Sequence, residues 1–140
     1  MCIRDSVKSL GEFDYASVLL PYNTSMLASS AYQADVEELL DLCAQRQVAV
    51  QTIKAIAKGR WPDGYDGQRF SWYEPLEDEA AIGRAVRNVL ANPQLFLNTT
   101  SDARKLRVVL AAADPALPAP SAEELAADIE SHQILSLIHI

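Results

Sequence analysis

Apolar positions along the chain alternate between short dense runs and longer runs with helical spacing. FDYASVLLPYN (13–23) has a strand-like core from Ala16 to Leu20, closed by Pro21 and Asn23. DVEELLDLCAQRQ (35–47) places Val36, Leu39, Leu40 and Cys43 on one helical face, with its acids early in the run. VAVQTI (48–53) is short and β-branched and predicts a second strand. Residues 59–76, rich in glycine, proline and aromatics, predict a long loop. A helix over 77–92 follows, with Ala81, Ile82, Ala85, Val86, Val89 and Leu90 on one side and a stop at Asn92-Pro93. LFLN (95–98) predicts a third strand, and 102–114 a helix that Ser101 or Asp102 can cap. Residues 115–120 form a proline-rich linker, and Ser121 and Glu124 match a capping box opening a last helix over 121–133.

Strand–helix pairs repeated three times predict an α/β fold with parallel strands buried on both faces. The order fits a doubly wound sheet and part of a (β/α)8 barrel equally well.

The two ends narrow the segment that carries the fold. A DNA strand encoding residues 1–6 as ATG TGT ATA AGA GAC AG reads, on its complement, as Leu-Ser-Leu-Ile-His-Ile, which is residues 135–140. That DNA resembles the transposase end used to build sequencing libraries. Residues 1–6 and 135–140 are therefore set aside as adapter-derived, and 7–134 is expected to be an open-ended fragment of a longer gene. Cys2 and His139 drop out with them, leaving Cys43 and His132. One cysteine forms no internal disulfide, so a reducing, cytoplasmic setting is expected. The net charge of −7 argues against non-specific nucleic-acid binding. No stretch is long or apolar enough to span a bilayer, and no secretory leader is expected.

In parallel α/β folds, chemistry collects at the carboxyl ends of strands. Here those positions hold Tyr22 and Asn23, then Lys54 to Lys58, then Asn98, Thr99, Thr100, Ser101 and Arg104. Amide, hydroxyl and cationic donors at a helix start suit a phosphate. A capped helix start and a rim lysine fit the same residues without a ligand. Trp61, Trp72 and Tyr73 either cover a ligand or pin their loop. Neither phosphate-loop fingerprint occurs, and no His/Cys cluster has metal spacing. No Ser-His-Asp set can be assembled.

FDYASVLLPYN, VAVQTIKAIAKG and AIGRAVRNVLANPQLFLNTTSDARKL, in that order and spacing, resemble the last three βα units of an aldo/keto reductase across nearly all of 7–113. The resemblance implies strands six to eight of a (β/α)8 TIM barrel over 7–114, with a linker and C-terminal helix over 115–134. It implies NADPH or NADH as coenzyme and a small aldehyde or ketone as substrate. Tyr22 and Asn23 match the end of the sixth strand near the nicotinamide, with Leu19 where relatives often carry glutamine. Lys54 would face the pyrophosphate. Asn98 to Ser101, with Arg104, would grip the adenosine phosphate. The family's catalytic Asp, Tyr, Lys and His lie in its first half, so no catalytic residue is expected here. A fragment of this kind is expected to lack reductase activity and to be poorly soluble, because it leaves strand edges and apolar surface uncovered. The alternatives are a nucleotide-binding barrel module without turnover, and an unrelated phosphate-binding aldolase or isomerase with Lys54 as a Schiff-base lysine.

Overall fold

The structure, a computed structural model, describes residues 3–137. Met1, Cys2 and residues 138–140, His139 included, lie outside it. The chain runs through α1 (Ile3–Glu12), β1 (Ser17–Pro21), α2 (Thr24–Leu27), α3 (Ser30–Arg46) and β2 (Ala49–Ile53). A small hairpin follows, β3 (Ala57–Gly59) with β4 (Glu74–Pro75). Then come α4 (Glu79–Leu90), β5 (Leu95–Leu97), a 3-10 turn (Ala103–Lys105), α5 (Leu106–Ala112) and α6 (Ala122–Ser131).

β1, β2 and β5 form one parallel sheet in that spatial order, so each strand–helix–strand unit lands beside its predecessor. The register aligns Val18, Val50 and Leu95, and one step on Leu19, Gln51 and Phe96. Side chains alternate across a strand, so these two rows point to opposite faces. The first face carries the buried Leu20, Val50, Thr52 and Leu95. It meets Val36, Leu39, Leu40 and Cys43 of α3 and Ile82, Ala85, Val86 and Val89 of α4 in one core. α5 and α6 pack on α4, and α1 on α3. Among the described residues the second face has no such cover: Leu19 is 42% and Phe96 62% exposed. The expected burial on both faces is thus corrected, because the helices gather on a single side.

Local chemistry explains the helix ends. Asp78 caps α4 by accepting from the Ala81 amide at 2.8 Å. Ser121 and Glu124 form the expected reciprocal capping box on α6. α3 closes with Gln47 in the left-handed region (φ 55°), and the Val48 amide bonds back to the Cys43 carbonyl at 2.9 Å. That reversal feeds the chain into β2. The Cys43 thiol lies fully buried on α3, and burial pushes its pKa up.

α1, α2 and the β3–β4 hairpin are additions to the elements the sequence predicts. Residues 3–6, set aside on sequence grounds, form the start of α1, and Ile3 and Leu137 are both buried. Among the described residues no helix is long and apolar enough to cross a membrane.

Candidate functional site

At the carboxyl end of β2 the chain bends sharply. Lys54 takes a left-handed conformation (φ 67°), uncommon for a residue with a Cβ. A buried side chain at the end of the neighbouring strand holds it there. Asn23 donates through Nδ2 to the carbonyls of Lys54 (3.0 Å) and Ala57 (2.8 Å). Its Oδ1 accepts from the Ser25 amide (3.1 Å) and hydroxyl (2.7 Å). The Ala57 amide closes the bend onto the Lys54 carbonyl at 3.0 Å. The Lys54 ammonium lies over the Tyr73 ring, 4.4 Å from its centre.

The loop after β5 is tied to the sheet at its root. The Asn98 amide donates to the Thr52 carbonyl (3.0 Å), and its side chain donates to Gln51 (3.1 Å). The Ser101 hydroxyl donates to the Phe70 carbonyl at 3.1 Å, joining this loop to the long one after β3. Thr100 accepts from the Asp102 amide at 3.1 Å. Among the described residues the backbone amides of Thr99, Thr100 and Ser101 have no protein acceptor.

Asp102 ends the turn. It is 1% exposed, caps the 3-10 turn, and takes the Arg104 guanidinium in a two-point ion pair at 2.8 and 2.6 Å. The Arg104 hydrogen bond holds the Asp102 carboxyl below its usual range, and the same bond raises Arg104. The guanidinium also stacks on Phe70, 3.9 Å from the ring centre.

A cavity of about 490 Å³ opens between these two loops. Lys54, Asn98, Thr99, Thr100 and Ser101, all singled out by the sequence, line it together. Three other expected residues do not. Asn23 spends its amide nitrogen on the bend and its oxygen on capping α2 at Ser25, so its side chain is fully engaged within the chain. Arg104 is turned toward Asp102 and Phe70. Tyr22 is half-buried at the end of β1, where burial and then the Glu37 charge push its phenol above the ordinary 10. The aromatic loop is pinned at one end and borders the cavity at the other. Trp61 stacks on Tyr65 (4.6 Å) and donates to the Ser71 carbonyl (2.9 Å), which pins the loop. Trp72 and Tyr73 line the cavity.

Sequence reading missed Val86 of α4 and Val109 of α5, which complete the apolar wall. Their only sequence signal is helical spacing, which marks core and wall alike. It also missed Asp102 as the partner of Arg104, although an acid two residues before an arginine at a helix start could have suggested it.

Among the described residues no group of His, Cys, Asp or Glu is arranged to hold a metal ion. Compared with known proteins, the chain matches no family model, no curated protein and no solved structure.

Proposed function

We propose that this chain is the coenzyme-holding part of an NAD(P)H-dependent reductase of the aldo/keto reductase type, corresponding to strands six to eight of a (β/α)8 barrel. One observation carries the reading: Lys54 and the 98–101 turn, at the carboxyl ends of neighbouring parallel strands, line the same cavity. Sequential strand order with the helices on one side, and an uncovered sheet face bearing Leu19 and Phe96, is also what an arc cut from a barrel would have.

The donor set suits a nicotinamide dinucleotide. One ammonium, three amides without protein acceptors and the Thr99 and Thr100 hydroxyls offer a diphosphate both charge and hydrogen bonds. Ile53, Ile56, Val109 and Trp72 offer a flat heterocycle an apolar wall. The volume of about 490 Å³ lies within the range of roughly 300–1,000 Å³ usual for small-molecule sites. When bound, the coenzyme supplies a hydride to an aldehyde or ketone. The residues of this chain bind and orient it, and none of them is assigned as the proton donor. A reducing, cytoplasmic setting fits the free, buried Cys43, the one cysteine among the described residues.

The test is a titration of the full chain with NADPH and with NADH, followed by quenching of tryptophan fluorescence at Trp72. Saturable quenching is expected, and Lys54→Ala should raise Kd about tenfold, near 1.4 kcal/mol. Equal titrations with and without Lys54 would remove the reading. Binding without carbonyl reduction by a complete barrel would leave a nucleotide-binding module without turnover.

A further inference from the structure

We infer that the cavity between the two strand-end loops also takes a monoanionic amphiphile, an unbranched alkanoate with one carboxylate head and one aliphatic chain, and that this ligand competes with the coenzyme. The competition rests on the coenzyme reading above. The binding rests only on the walls of the cavity.

Those walls change character with depth. Residues at the mouth are exposed: Thr99 and Ser101 of the turn after β5, and Trp72 of the aromatic loop at 86%. The floor is buried and aliphatic, made by Ala55 and Ile56 after β2, Val86 of α4 and Val109 of α5. Methylenes laid on this floor leave water without stranding a polar group.

The charge of the walls sets the charge of the head. Among the described residues Lys54 is the one charged residue lining the cavity, and its ammonium meets the Tyr73 ring rather than a carboxylate. The cations that follow the turn are already neutralised, Arg104 by Asp102, Lys105 by Glu77 and Arg107 by Glu79. One unpaired positive charge balances one carboxylate. The amides of Thr99, Thr100 and Ser101, without protein acceptors among the described residues, supply hydrogen bonds to its oxygens. A dinucleotide brings two phosphate charges to the same ammonium and leaves one of them unmatched. Acetate has the head without the chain, and decanol the chain without the charge.

The experiment titrates the full chain by calorimetry with acetate, hexanoate, octanoate and decanoate, each below its micellar concentration, and with decanol. Beyond hexanoate, affinity should rise about threefold to fourfold for each added methylene. Lys54→Ala should weaken decanoate about tenfold and leave decanol unchanged, and Lys54→Arg should keep most of the decanoate affinity. Decanoate should raise the apparent Kd of NADH in proportion to its own concentration. Alkanoate binding with no NADH binding would remove the coenzyme reading and uphold the alkanoate site. Affinities that ignore chain length, or a decanoate affinity that ignores Lys54→Ala, would overturn the inference whether or not NADH binds. So would simultaneous binding of NADH and decanoate, which would place the alkanoate elsewhere.

Discussion

The Lys54 ammonium rests 4.4 Å from the centre of the Tyr73 ring, on the wall of the cavity between the two strand-end loops. A ring face attracts a cation by about 0.5–2 kcal/mol, depending on how dry the site is. The same contact keeps the side chain from collapsing toward solvent. Under the coenzyme reading proposed above, Tyr73→Leu should therefore weaken coenzyme binding by about threefold to tenfold while a Lys54→Ala background shows no further loss, a non-additivity that a double-mutant cycle reads directly.

Backbone geometry at Lys54 separates its role in the fold from its role in the cavity. A left-handed residue with a Cβ costs roughly 1–2 kcal/mol, which glycine avoids at an entropic cost of roughly 0.5–1 kcal/mol. Lys54→Gly should leave denaturant stability within about 1 kcal/mol of the parent while abolishing the cation's contribution to binding. Lys54→Val, with a β-branched side chain at the same φ, should be clearly less stable. Equal stability for the two would show that the bend does not require the left-handed conformation.

Asn23 makes four bonds from a position that is 1% exposed, two of them to carbonyls of the Lys54–Ala57 bend. Asn23→Ala removes the partners of those carbonyls and should cost about 2–4 kcal/mol in urea unfolding. Asn23→Asp should be worse at neutral pH, because a carboxylate would face two carbonyl oxygens. If Asn23→Ala proves neutral, the bend is held by something else.

Acid stability should depend on Asp102. Arg104 holds its carboxyl below the usual range in the folded chain. The stabilisation is therefore complete above the unfolded value of about 3.9 and is lost as pH falls through the lower folded value. Asp102→Asn should lower stability at neutral pH and flatten the acid limb of a stability-against-pH curve. Arg104→Gln should do the same while changing coenzyme affinity little, since the guanidinium is turned away from the cavity. A steep, unaltered acid limb in both variants would assign the dependence to other carboxylates.

The two sheet faces should respond oppositely to charge. Phe96 is 62% exposed and Val50 fully buried one register step away. Phe96→Lys should change stability by no more than about 0.5 kcal/mol, as for ordinary surface positions, and should improve solubility. Val50→Lys should prevent folding. Equal damage at both positions would mean that the outer face is covered in solution.

Elements with strong local signals were legible in the sequence. Ala16–Leu20 lies one residue from the observed β1, 48–53 contains β2, and the Ser121–Glu124 box stands as read. The hairpin was not legible, because its strands are three and two residues long and their pairing spans the irregular loop. The bend at Lys54 was hidden for another reason. Lysine carries no preference for a left-handed φ, and the cause sits thirty-one residues earlier in Asn23. Strand-end position alone singled out Lys54 and Asn98 to Ser101, which line one cavity. It did not reveal that Asn23 and Arg104 are engaged by their neighbours, because position cannot tell a side chain facing open space from one already partnered.

Cys43 offers a last consequence. Its side chain has no exposed surface within the core that α3 shares with the sheet, and burial disfavours the thiolate that alkylating reagents require. In a chain carrying Cys2→Ser, the labelling rate of Cys43 would thus clock how often α3 lifts off the strands. The molecule carries its own stopwatch for that opening.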